Sequence, residues 1–203
     1  MRTGWMAAME MAVAMAAQAG QAQPKLTVWI ESPRDLDVVV LAGAEGTAAR
    51  IFAQVDVKLE WKIGTPPANA PGENLAMAFD AAAPARFDAG ALGYATVGGS
   101  GTTIHIFYYR VLRQNAGELL PVILGHVMAH EITHVLEGIP RHSDTGLMKA
   151  QWQADDYYRM SRSPLPFAPI DADMVRAHFA REAAALPQAP GAAQPAEPVT
   201  DSR

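Results

Sequence analysis

The chain has 203 residues, half of them hydrophobic and many of those alanine, enough for one domain core and too few for two. Its net charge of −5 and pI of about 5.6, with acidic and basic residues interspersed, exclude the basic stripe that a nucleic-acid surface needs. The absence of cysteine excludes disulfides and thiolate ligands, so a zinc site here must use histidine, carboxylate and water.

At the N-terminus, Arg2 precedes an Ala/Met-rich apolar stretch from Trp5 to Ala17, interrupted by Glu10. Ala17-Gln18-Ala19 and Gly20-Gln21-Ala22 then offer the small residues that a signal peptidase reads. Residues 1–22 are therefore expected to be a signal peptide, which makes the mature protein secreted or periplasmic. The apolar run is shorter than the ~20 residues of a membrane span, so no span is expected.

Lys25 to Glu31 is rich in β-branched and aromatic residues and reads as a strand, broken by Ser32-Pro33-Arg34-Asp35. Leu36 to Val55 carries a helical pattern, best in Ala48 to Ala53 and weakened by Gly43 and Gly46. Val57 to Ile63 alternates apolar and charged residues as a half-buried strand does. Gly64 to Gly72, with three prolines, is a loop, and Asn74 to Phe79 is a third strand. Leu92 to Val97 and Thr102 to Val111 read as strands on either side of a glycine-rich turn. Leu119 to Glu137 is the strongest helix: Pro121 suits its first turn, and Gly138 with Pro140 stops it. Tyr157 and Tyr158 read as packed helix residues, and Asp171 to Ala185 as a final Ala-rich helix. The Pro/Ala-rich segment 187–203 lacks periodicity and is expected to be a disordered tail, leaving 24–186 as the folded catalytic domain. The order of elements is that of an α+β layer architecture.

Chemistry enters with His130-Glu131-Ile132-Thr133-His134 on the strongest helix. Four residues apart, the two histidines lie about 40° and about 6 Å apart on one helix face, where both can reach one zinc ion. Glu131 points beside that ion, placed to accept a proton from its water. A third ligand must come from elsewhere. His126 shares the four-residue spacing but lies about 12 Å along the axis from His134, too far to share an ion, and reads as a core histidine. His142 follows the helix stop and is the better candidate, with Asp144, Asp155 and Asp156 as carboxylate competitors. His105 lies on a strand between Ile104 and Ile106 and reads as structural.

His130, Glu131 and His134, with Gly138, His142 and Met148, resemble the H-E-x-x-H-x-x-G-x-x-H and Met-turn pattern of metzincin-clan zinc metallopeptidases, and most closely the small, secreted, matrixin-like ones. The chain departs from that pattern in spacing. Gly138 stands four residues after His134 rather than three, and His142 eight rather than six, a two-residue-longer loop.

The resemblance implies a metzincin-like mixed twisted β-sheet with an active-site helix, a backing helix and a small C-terminal helical subdomain. It implies Met148 as the Met-turn residue beneath one catalytic Zn2+, a role hard to separate from plain core packing. It also implies an edge strand whose backbone at Gly93, Tyr94 and Ala95 holds extended peptide by strand addition, where the bland reading is an ordinary strand. The activity implied is a secreted zinc-dependent endopeptidase hydrolysing peptide bonds by Glu131-assisted attack of zinc-bound water on a peptide or protein substrate. The alternatives are an inactive zinc-stabilised binding or scaffold domain, and a zinc hydrolase of a non-peptide amide or ester. A monomer without nucleic-acid partners is expected.

Overall fold

The computed structural model describes residues 23–31, 36–98, 101–114 and 117–185. The expected signal peptide (1–22), the strand break at 32–35 and the C-terminal tail lie outside the described residues.

Five strands, β1 (Lys25–Ile30), β2 (Lys58–Ile63), β3 (Glu73–Phe79), β4 (Gly93–Gly98) and β5 (Gly101–Ile106), form one sheet in the order β2-β1-β3-β5-β4. The pairs β1–β2, β1–β3 and β3–β5 are parallel; β4 alone runs antiparallel, against β5, and so ends the sheet as an edge. Alternation decides the faces: Leu26, Val28, Ile30, Met77, Ile104 and Ile106 are fully buried and point to one side. On that side the core is completed by helices α1 (Val38–Ala53) and α3 (Leu120–Glu137). This is the mixed sheet with a long helix and a backing helix that the resemblance implies.

Helix α1 begins at Asp37, whose carboxylate accepts from the backbone N–H of Val39 at 2.6 Å, an N-cap that satisfies an otherwise orphaned donor. It crosses α3 at close range. A Cβ added at Gly125 of α3 would lie 2.5 Å from the Ala44 carbonyl oxygen, and one at Gly43 would lie 2.7 Å from Pro121 Cβ. Gly43 and Gly125, each unfavourable in a helix interior, are therefore what lets the backing helix approach.

Two expectations need correction. The strand expected over Thr102–Val111 ends at Ile106, and Tyr108–Gln114 is helical (α2). Ile106 pairs with Gly93, the first residue of β4, so no neighbouring strand continues beyond it on that side. The amides of Arg110 and Val111 turn back to the Phe107 carbonyl instead. A short helix α4 (Ala154–Met160) holds Tyr157 partly buried, whereas Tyr158 is exposed and carries the Arg162 guanidinium over its ring. The last helix, α5 (Pro169–Ala185), buries Ala172, Val175 and Phe179 in the core, anchoring the C-terminal helical part. Among the described residues no helix is long and apolar enough to cross a membrane.

Candidate metal centre

Helix α3 runs unbroken from Pro121 in its first turn to Gly138, which caps it in the left-handed conformation (φ 70°) and donates its N–H to the His134 carbonyl at 3.0 Å. On its inner face the Nε2 atoms of His130 and His134 stand 3.0 Å apart. Two nitrogens bound at about 2.1 Å to one tetrahedral ion stand roughly 3.4 Å apart, so the pair is near ligand spacing. The chain after Gly138 returns His142 to them. One nitrogen from each of His130, His134 and His142 lies within 4.8 Å of the others. No other group of three or more His, Asp or Glu side chains converges in this way among the described residues. Asp144 and Asp155 are exposed outside the cluster, and Asp156 is taken by Lys149 and the Gln153 N–H.

The protonation of this cluster suits a cation. Burial holds His130 down to about 3, with His134 and His142 adding to the effect. Burial also lowers His134 and His142. Neutral imidazoles present lone pairs, as ligation requires. The Nδ1 of His130 bonds the Leu147 carbonyl at 3.0 Å, which makes it the protonated nitrogen and leaves the lone pair on Nε2. That carbonyl also accepts from Trp152 Nε1 at 3.2 Å, and the Leu147 N–H donates to the Pro166 carbonyl at 2.8 Å. Gly146 (φ 75°) makes this turn possible, since a Cβ there would meet the Pro166 carbonyl at 2.3 Å. Met148 follows, fully buried. A three-histidine donor set with neutral rings and an oriented first ligand fits a zinc ion.

Glu131 is the buried carboxyl beside this cluster, and burial pushes it up to about 8. It lies against Gly93 at the start of the edge strand. A cleft of about 1060 Å³ is lined by Gly93, Tyr94 and Ala95 of the edge strand, by His130, Glu131, His134 and His142, and by Trp152 and Tyr157. The wall before β4 is pinned by Arg110, whose guanidinium donates to the carbonyls of Asp88 at 2.5 Å and Ala91 at 2.8 Å.

His126 stands apart from the cluster. It is fully buried; its Nδ1–H donates to the Val122 carbonyl at 2.7 Å and its Nε2 accepts from the Leu165 N–H at 3.0 Å. His105 bonds Asp80 and stacks on Tyr94, on the sheet face away from α3. Sequence reasoning did not reach the Leu147 carbonyl or Arg110, whose bonds run through backbone carbonyls that leave no residue-type signature.

No protein-family model matches the chain, and no curated protein matches it. Among solved structures it is similar to the crystal structure of archaemetzincin from Methanopyrus kandleri, with 15% identity and a TM-score of 0.46 over 78% of this chain and 97% of that one.

Proposed function

We propose that the chain is a zinc-dependent metallopeptidase of metzincin type that cleaves extended peptide or protein segments. One observation carries this reading: three neutral imidazoles converge within 4.8 Å, next to a buried glutamate, in a cleft that the edge strand also lines. His130, His134 and His142 would hold one zinc ion, which when bound supplies Lewis acidity to the scissile carbonyl and lowers the pKa of water.

Glu131 is the general base. The positive charge of a divalent ion favours its carboxylate against the burial that otherwise keeps it protonated. It takes a proton from the attacking water as the new C–O bond forms, then gives it to the amine nitrogen as the C–N bond breaks. The position of β4 as an edge strand, free on its outer side among the described residues, supports binding of a substrate backbone at Gly93, Tyr94 and Ala95 as an added strand, which favours peptides over other amides or esters. Met148 is assigned as the Met-turn residue, and export through residues 1–22 places the enzyme outside the cytoplasm as a secreted, matrixin-like monomer.

The test pairs metal analysis with a cleavage profile on a peptide library. One zinc per chain and peptide cleavage by the wild type, with zinc but no cleavage in Glu131→Gln, is the expected result. Undiminished cleavage by Glu131→Gln would sink the mechanism.

A further inference from the structure

His142 sits in a stretch with no regular structure, eight residues beyond His134, so helix geometry cannot aim it. Both of its chain neighbours are tied to one atom. The Ser143 hydroxyl donates to Asp171 Oδ1 at 2.7 Å, and the Arg141 guanidinium pairs with the same oxygen. Arg141 also donates to Ser143 Oγ at 3.1 Å and lies 3.6 Å from Glu137 at the end of α3. The Ser143 N–H, finally, donates to the Met148 carbonyl at 2.7 Å.

Asp171 is fully buried in the first turn of α5, a helix fixed in the core by Ala172, Val175 and Phe179. A buried carboxylate is costly to maintain, and register is the best-attested reason to keep one. Glu137, also buried, makes the cluster an acid pair around one guanidinium.

We infer that Asp171 is a positioning residue for the metal site, clamping Arg141 and Ser143 so that the imidazole of His142 between them is presented to His130 and His134. The inference rests on the zinc reading above. It assigns to the C-terminal helix control over the third ligand, and explains how a longer loop still delivers that ligand.

The experiment measures zinc affinity by chelator competition, in a double-mutant cycle between Asp171→Asn and His142→Ala. Asp171→Asn keeps the volume and loses the ion pair. It is expected to weaken zinc binding about 10- to 100-fold, the usual effect of losing an outer partner of a ligand. In the His142→Ala background the same change should cost almost nothing further, and the cobalt-substituted Asp171→Asn protein should show the altered visible absorption of a site that has lost a ligand. Ser143→Ala cuts one link and leaves the Arg141–Asp171 ion pair in place; an affinity loss of about tenfold is expected, and it carries the test if Asp171→Asn does not fold. Wild-type affinity in folded Asp171→Asn and in Ser143→Ala would overturn the inference, as would an equal loss with and without His142. Failure of the zinc reading looks different: the wild type itself binds no zinc, or His130→Ala binds it unchanged.

Discussion

Gly93 on the edge strand touches Glu131 so closely that no side chain fits between them. A Cβ at position 93 would lie 2.8 Å from Glu131 Cγ, 2.9 Å from its Cδ and 2.9 Å from the His105 carbonyl oxygen. The strand proposed to bind substrate and the proposed base are thus in direct contact. Gly93→Ala must push the carboxyl aside or bend the strand. A displacement near 1 Å costs on the order of 100-fold in rate, so kcat is expected to fall by about that factor with zinc content unchanged. Steady-state kinetics with metal analysis decide it; a full-rate Gly93→Ala enzyme removes Gly93 from the account.

Glu131→Gln is close to isosteric, and position 131 is outside the three-histidine set. Loss of a general base costs about 10²- to 10⁴-fold, so peptide turnover should fall by that range while zinc stoichiometry holds. Loss of zinc along with activity would instead make Glu131 part of the metal's support.

Chelation gives a third outcome. Zinc bound only by the folded chain stabilises it by about 2.7 kcal/mol at a hundred times the dissociation constant. Thermal melts should therefore drop on adding a strong chelator and recover with zinc, and peptide cleavage should follow the same cycle. A melting temperature indifferent to both would count against the site.

His126 predicts a pH effect on folding. Burial holds it down to about 4 from an ordinary 6.5, so the unfolded chain binds a proton there before the folded one does. Stability is full above about 6.5 and declines as pH falls toward about 4. The loss from this ring reaches about 3 kcal/mol, at about 1.4 kcal/mol per pH unit. Protonating Nε2 also breaks its bond with the Leu165 N–H. Urea midpoints of metal-free wild type and His126→Gln across that window should converge as pH falls. Parallel curves would show that His126 contributes no pH dependence.

Gly125→Ala tests the helix crossing. Its Cβ would fall 2.5 Å from the Ala44 carbonyl oxygen and 2.6 Å from Thr47 Cβ. Overpacking of this kind costs about 1–3 kcal/mol, against a small gain in helix propensity, so a lowered melting temperature is expected. An unchanged melt would mean that α1 can retreat freely.

The local parts of this architecture are legible in the sequence. Period-2 alternation marked β2, and caps marked α3: Pro121 at its start, Gly138 at its end. The four-residue spacing placed His130 and His134 on one face, and the glycine stop left His142 free to return. Where the reading failed, the deciding partner was remote. Ile104 to Val111 is a run of β-formers, yet it leaves the sheet at Ile106 because β4 goes no further. The Asp171 clamp spans 28 and 30 residues to Ser143 and Arg141, and nothing local to either end announces it. Strand order was equally hidden, since β1 takes its two neighbours from later in the chain.

The five strands of the sheet end by Ile106, whereas the imidazole cluster, Glu131 and the Asp171 clamp all lie beyond residue 129. A chain made from its N-terminus first acquires the sheet's interior and only afterwards the groups that would cut peptides. Until α5 has emerged, Arg141 and Ser143 lack Asp171 as a partner. In the proposed enzyme the order of synthesis is itself a safeguard: the nascent polypeptide can fold most of its scaffold before it can attack its neighbours.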